Sequence, residues 1–280
     1  MTVSYKSAGI LAMVACAFLW SIAGLFIKAI DWNPFAIAGL RSIIASAVIL
    51  FFLKRPNIHL SYPQAGAAVA NAATMILFVI ANKTTTAANA ILLQYGAPIF
   101  TAVIGIFFLK ERARAEHWAA FPIVTAGMIV MFMDRLGGGG LTGNIIAVLS
   151  GITFSFFFVF MRMQKDGSPL ESILLSHWLA AGICLVVSLF LPLPNFTMKS
   201  VAAVAVLGIL QIGVTAVLFS LAIKRVSAVS ASLIAMVEPV CNPLWVFIVL
   251  GEAPGLNTLV GGGIIIIAVT TVSIISSRRK

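Results

Sequence analysis

The feature that most constrains this chain is a succession of ten apolar runs with very little between them. The first five are Ala8–Ile30, Pro34–Leu53, Gln64–Ala81, Ala87–Leu109 and Trp118–Met133. The second five are Gly143–Met161, Ser172–Leu191, Ser200–Ile223, Ala228–Leu250 and Leu256–Ser276. A helical membrane span needs about 20 mostly apolar residues, so ten of them use most of the 280 available. No extramembrane domain of any size fits in the remainder. Composition agrees: only 9% of residues are charged, against roughly 25% in soluble domains. In lipid the backbone must satisfy its own hydrogen bonds, and runs of this length do so as helices.

The formal charge of +10, from 18 Lys and Arg against 8 Asp and Glu, does not point to nucleic acid. No basic run interleaved with aromatics is present to track phosphates. The charge instead fixes an expected orientation. With the N-terminus in the cytoplasm, thirteen bases fall on the inner side, including Lys54, Arg55, Lys110, Arg112, Arg114, Arg162 and Lys224. Only Lys28, Lys83, Arg135 and Lys199 fall outside, and Arg41 lies within a span. This is the positive-inside pattern, and it places both termini in the cytoplasm. Cys16, Cys184 and Cys241 lie far apart in apolar runs and form no metal or redox motif. Met13-Val14-Ala15-Cys16 resembles a lipoprotein cleavage box, yet the apolar run continues through it, so a retained first span is expected.

The two halves repeat. Lys83 to Glu111 overlies Lys224 to Glu252 at a constant offset of 141 residues, which brings Phe78 to Phe219, Pro98 to Pro239 and Glu111 to Glu252. Five spans per half is an odd number, so the copies lie in opposite orientations. The expected fold class is an all-α integral membrane protein of ten transmembrane helices, arranged as two inverted five-helix repeats. Residues 1–136 form the first repeat and 143–280 the second. Residues 137–142 form a glycine-rich linker, because four consecutive glycines with no following Gly-Lys-Ser/Thr are a flexible joint rather than a phosphate loop. Inverted repeats are a mark of secondary transporters, with a site near the midplane between the copies.

Each repeat ends its fourth span with a proline followed by Leu-x-Glu: Pro98 with Leu109-Lys110-Glu111, and Glu238-Pro239 with Leu250-Gly251-Glu252. With Ala38-Gly39-Leu40-Arg41 in the second span, the chain resembles the EamA family of the drug/metabolite transporter superfamily. Within that family, the length and aromatic richness are similar to bacterial exporters of amino acids, including aromatic ones. The resemblance implies a multi-pass protein of a bacterial inner membrane whose partners are the lipid bilayer and a small-molecule substrate. It implies no cofactor. Oligomeric state is left open, and a monomer suffices.

Several residues are candidates for carrying transport. Pro98 and Pro239 each remove a helical hydrogen bond, nominally freeing the carbonyls of Gln94 and Ala235, and are candidate hinges or static kinks. Glu238 is the only acid deep in a span; it is either a coupling group or a cap for the interrupted backbone. Arg41, near enough to the outer face to snorkel, meets a substrate carboxylate or a structural partner, and His177 occupies a similar depth. Candidate cavity residues are Trp20, Asn71, Phe78, Asn89, Gln94, Tyr95, Phe154, Gln211, Phe219, Met236 and Asn242. Aromatic walls with few charges suit amphiphilic or aromatic solutes. The run Phe154–Phe160 covers every face of its helix, so several of its rings are expected to face lipid.

Three function classes compete: an exporter of amino acids or similar metabolites, an exporter of drugs or organic cations, and a membrane-embedded enzyme. The enzyme is disfavoured because no HExxH, Cys/His cluster or Ser/His/Asp set is present, and none of these residues suggests a metal. An anionic nucleotide-sugar cargo is disfavoured because Arg41 is the only base within a span.

Overall fold

The computed structural model describes residues 5–28, 30–135, 140–192, 194–251 and 253–278. Residues 137–139 of the linker and Glu252 of the second Leu-x-Glu lie outside the described residues. Every regular element among those described is helical. The first half comprises α1 (Tyr5–Trp20), α2 (Ala23–Lys28), α3 (Pro34–Leu53), α4 (Tyr62–Thr84), α5 (Ala87–Gln94), α6 (Ala97–Phe108) and α7 (Ala115–Phe132). The second comprises α8 (Leu141–Met163), α9 (Pro169–Ser188), α10 (Met198–Val206), a π-helical segment (Leu207–Val214), α11 (Thr215–Ile223), α12 (Ala228–Ile234), α13 (Val237–Leu250) and α14 (Leu256–Arg278).

Nine helical segments among the described residues are long and apolar enough to cross a membrane, counting the interrupted pairs as single segments. The one remaining apolar run, the first in the chain, begins as α1, 16 residues long, and resumes as α2 after a turn at Ser21-Ile22. The chain is a multi-pass integral membrane protein with a duplicated helical layout.

Local structure repeats with the 141-residue offset. Thr86 caps α5 by accepting from Asn89 N at 3.1 Å, and Ser227 caps α12 by accepting from Ser230 N at 3.2 Å. The fourth span of each half then breaks, at Tyr95-Gly96 and at Ala235-Met236. Both spans end on a left-handed residue, Lys110 (φ 55°) in the first half and Gly251 (φ 72°) in the second. Glycine occupies that conformation freely, whereas a β-carbon makes it costly. The same cap, break and stop thus recur although the side chains differ.

Packing between helices obeys the same exchange. α8 packs on α4 as α1 packs on α11, and α9 packs on α4 as α3 packs on the π segment. α3 faces its own counterpart α9, and α7 faces α14. Small residues permit the closest crossings: a β-carbon at Gly261 would lie 2.4 Å from the carbonyl oxygen of Gly127. Gly66 similarly makes room for the Phe160 ring, 2.9 Å from the position a β-carbon would take.

The expectation that several rings of the 154–160 run face lipid is not met. Phe157, Phe158 and Phe160 are buried, and Phe154 and Phe156 are half-buried. The reason is that α8 is surrounded: α4, α5, α6, α11 and α12 all pack against it. It is the central post of the bundle over the stretch that carries these rings, while Leu141, Ile145 and Leu149 nearer its start are exposed.

Candidate functional site

The centre of the bundle is aromatic. Trp20, at the end of α1, lies 6.1 Å from the Phe154 ring and 5.7 Å from the Phe219 ring, measured between centroids. Phe219 stacks on Phe157 at 5.1 Å and meets Phe158 edge-on at 5.3 Å. Such contacts hold the rings in fixed offsets. The indole N–H of Trp20 donates to Thr215 Oγ1 at 3.0 Å, and that hydroxyl donates to the Gln211 carbonyl at 2.6 Å. Trp20, Phe154 and Phe219 therefore come together from both halves, and Gln211 lies one turn away. Phe219 is buried and Trp20 and Phe154 are half-buried, so these rings line the place where the central cavity is expected.

Beside the rings lies the junction of the two interrupted spans. Tyr95, at the first break, donates from its hydroxyl to Glu238 Oε2 at 2.5 Å, at the start of α13. Met236, at the second break, is buried. A cavity of about 10 Å³ lies between Tyr95, Pro98, Leu233 and Met236, room for about one water. Pro98 stands in the first turn of α6, where its missing N–H leaves no internal bond unmade. The Gln94 carbonyl is pressed against Gly151 of α8, 2.8 Å from where a β-carbon would be. The second break differs from the expectation of an unpaired carbonyl. Ala235 O accepts from Glu238 N at 2.9 Å, because a tighter i to i+3 bond replaces the one Pro239 forbids.

Other candidates lie elsewhere. Gln94 donates to Ser150 Oγ at 2.9 Å, which donates on to Thr74 O, tying α5 to α8 and α4. Asn71 donates to Ser176 Oγ at 2.7 Å. Asn89 sits at the far end of the bundle with Thr85 and Asn144. Phe78 packs in a small separate cluster with Ala81, Ala90 and Ala147. Asn242 is half-buried. Arg41 does not reach an aqueous face; it is 6% exposed, because α9 and the π segment cover its helix. His177 is buried nearby, with Nδ1 3.3 Å from Ser42 Oγ.

Sequence reasoning passed over one tether. Arg162 Nε donates to Glu111 Oε1 at 3.1 Å, and its Nη1 donates to the carbonyls of Ile223 and Lys224 at 3.0 and 3.2 Å. It closes the basic end of the bundle across three connections. Its internal counterpart at the 141-residue offset is Ser21, which accepts instead from Trp245 Nε1 at 2.7 Å. Glu111 in the motif was the available signal: a partly buried acid at a span end calls for a base.

The arrangement offers rings, one carboxyl, hydroxyls and amide groups. Among the described residues, no group of three His, Cys, Asp or Glu is placed to hold a metal.

The comparisons with known proteins agree with this geometry. A protein of Archaeoglobus fulgidus described as an uncharacterized transporter is 26% identical over 260 residues, spanning 92% of this chain and 93% of that protein. The probable amino-acid metabolite efflux pump of Escherichia coli (strain K12) is 28% identical over 133 residues, 46% of this chain and 44% of the pump. A solved crystal structure superposes with a TM-score of 0.84 at 20% identity, covering 97% of this chain and 98% of the other, which shows a shared fold. The sequence profile of the EamA-like transporter family matches residues 7–133 and 141–274, one match per half. With both halves matched, the chain belongs to the EamA-like transporter family: it is a membrane transporter and not an enzyme.

Proposed function

We propose that the protein exports amino acids, aromatic ones among them, or similar small metabolites by alternating access between its two halves. The observation that carries this reading is the Tyr95–Glu238 hydrogen bond, which joins the two interrupted spans beside the rings of Trp20, Phe154 and Phe219. A solute with an amino group and an apolar or aromatic side chain matches that pairing of one carboxyl with aromatic walls. Pro98 and Pro239 serve as hinges, and Glu238 exchanges its Tyr95 bond for a proton or the solute's amino group. The distant efflux pump of Escherichia coli supports the amino-acid class. The protein acts in a bacterial inner membrane with both termini cytoplasmic, as the distribution of Lys and Arg favours. Residues 1–136 and 143–280 are its two inverted repeats, joined by the 137–142 linker.

The same Glu238, with rings nearby, favours a second reading: export of lipophilic cations. Uptake and counterflow in proteoliposomes, with a panel of amino acids, organic cations and nucleosides and with or without a pH gradient, separates them. Amino-acid flux supports the first reading. Flux confined to lipophilic cations overturns it in favour of the second.

A further inference from the structure

Arg41 is the one base the sequence places inside a span, and it is 94% buried, since only 6% of it is exposed. No carboxylate among the described residues forms an ion pair with it. Its Nε is buried with no hydrogen-bond partner. An unpaired cation at membrane depth is costly, and such residues mark binding sites and ion paths. His177 and Cys184 on α9 lie within its electrostatic range, and Ser42 is next to it in sequence.

The backbone facing Arg41 is irregular. The π segment Leu207–Val214 packs on α3 through Gly208, whose β-carbon would lie 3.1 Å from the Arg41 carbonyl and 2.6 Å from Ile44 Cβ. π-Helical turns often occur at functional sites and can relax by a register shift. The same segment carries Gln211, whose Oε1 is also buried without a partner, and leads one turn on to Thr215, the residue that holds Trp20. An unpaired donor and an unpaired acceptor thus flank one irregular segment that ends at the aromatic centre.

We infer that Arg41 binds an anion, the carboxylate of the transported solute, in the seam between α3, α9 and the π segment. The planar guanidinium presents a fork of donors matched to a carboxylate. This rests on the amino-acid reading above and deepens it: the recognised class becomes free amino acids, with their amides and decarboxylated amines rejected.

The site is tested apart from transport. Purified wild-type protein is heated in detergent with acetate or with uncharged acetamide. Acetate should raise the melting temperature by at least about 2 °C through binding to the folded state, and acetamide should not. The gain should disappear in Arg41→Gln and return in part in Arg41→Lys. No gain in wild type, or an equal gain in Arg41→Gln, overturns the site. If phosphatidylglycerol but not acetate gives the gain, the anion is a lipid headgroup and the solute assignment fails. In proteoliposomes, wild type should carry an amino acid at least roughly tenfold faster than its amide, the worth of one hydrogen bond to a charged group. Arg41→Gln should abolish that ratio by slowing only the acid. Equal slowing of both makes Arg41 a packing residue. If wild type carries no amino acid while acetate still binds, the export reading fails and the anion site stands.

Discussion

Replacing Pro98 by alanine tests whether the break in the first half is part of the transport cycle. The substitution adds one N–H whose helical acceptor is the Gln94 carbonyl, and it removes the ring that clashes with that turn. A net backbone hydrogen bond is worth about 0.5–1.5 kcal/mol, a factor of roughly 2 to 13 between conformations. Straightening has opposing costs: it moves Gln94 from Ser150, to which it donates at 2.9 Å, and Ala97 O from Ser155, which donates to it at 2.9 Å. The folded protein should therefore insert normally, with an unchanged or slightly raised melting temperature. The cycle must visit both states, so a bias toward one slows it. Counterflow in proteoliposomes should fall several-fold without loss of expression. Pro239→Ala should have the smaller effect, because Ala235 O already has a donor in Glu238 N. Normal flux in both variants refutes the hinge, and a larger loss in Pro239→Ala refutes the hydrogen-bond argument behind the ranking.

Glu238→Gln keeps size and hydrogen bonding but cannot ionise; it should lose gradient-driven accumulation yet retain exchange, and wild-type behaviour at every pH makes Glu238 structural. Trp20→Ala removes the ring facing Phe154 and Phe219 and should slow aromatic solutes more than small ones in the same vesicles; equal slowing with poor expression would report only damaged packing. Arg162→Gln removes the ion pair with Glu111 and should cost about 1–3 kcal/mol of stability in detergent unfolding, because Ile223 and Lys224 lose their charged donor. Cysteine at Arg112 should react with an impermeant thiol reagent only from the cytoplasmic side, and cysteine at the exposed Met198 only from outside; the reverse pattern refutes the orientation.

Much of the fold was legible because membrane burial is written in composition. Runs of apolar residues must be helices in lipid, so the helical, multi-pass, duplicated layout could be read from them. The 141-residue offset aligns paired features that need only local chemistry, which the structure shows as the Thr86 and Ser227 caps and the left-handed stops at Lys110 and Gly251. Pro98 marked a break, since proline acts on its own turn. Tertiary packing decided what depends on neighbours. Hydropathy cannot separate a lipid-facing ring from one facing another helix, as both environments are apolar, so the position of α8 as the central post was invisible. For the same reason Phe78 and Asn89 read as cavity residues while the fold places them in a separate cluster and at a distant end. The meeting of Tyr95 with Glu238, 143 positions apart, depends on how two interrupted helices cross. The isolation of Arg41 is likewise a tertiary result: a base in a span announces its cost in the sequence, but only the surrounding helices decide whether an acid comes within reach.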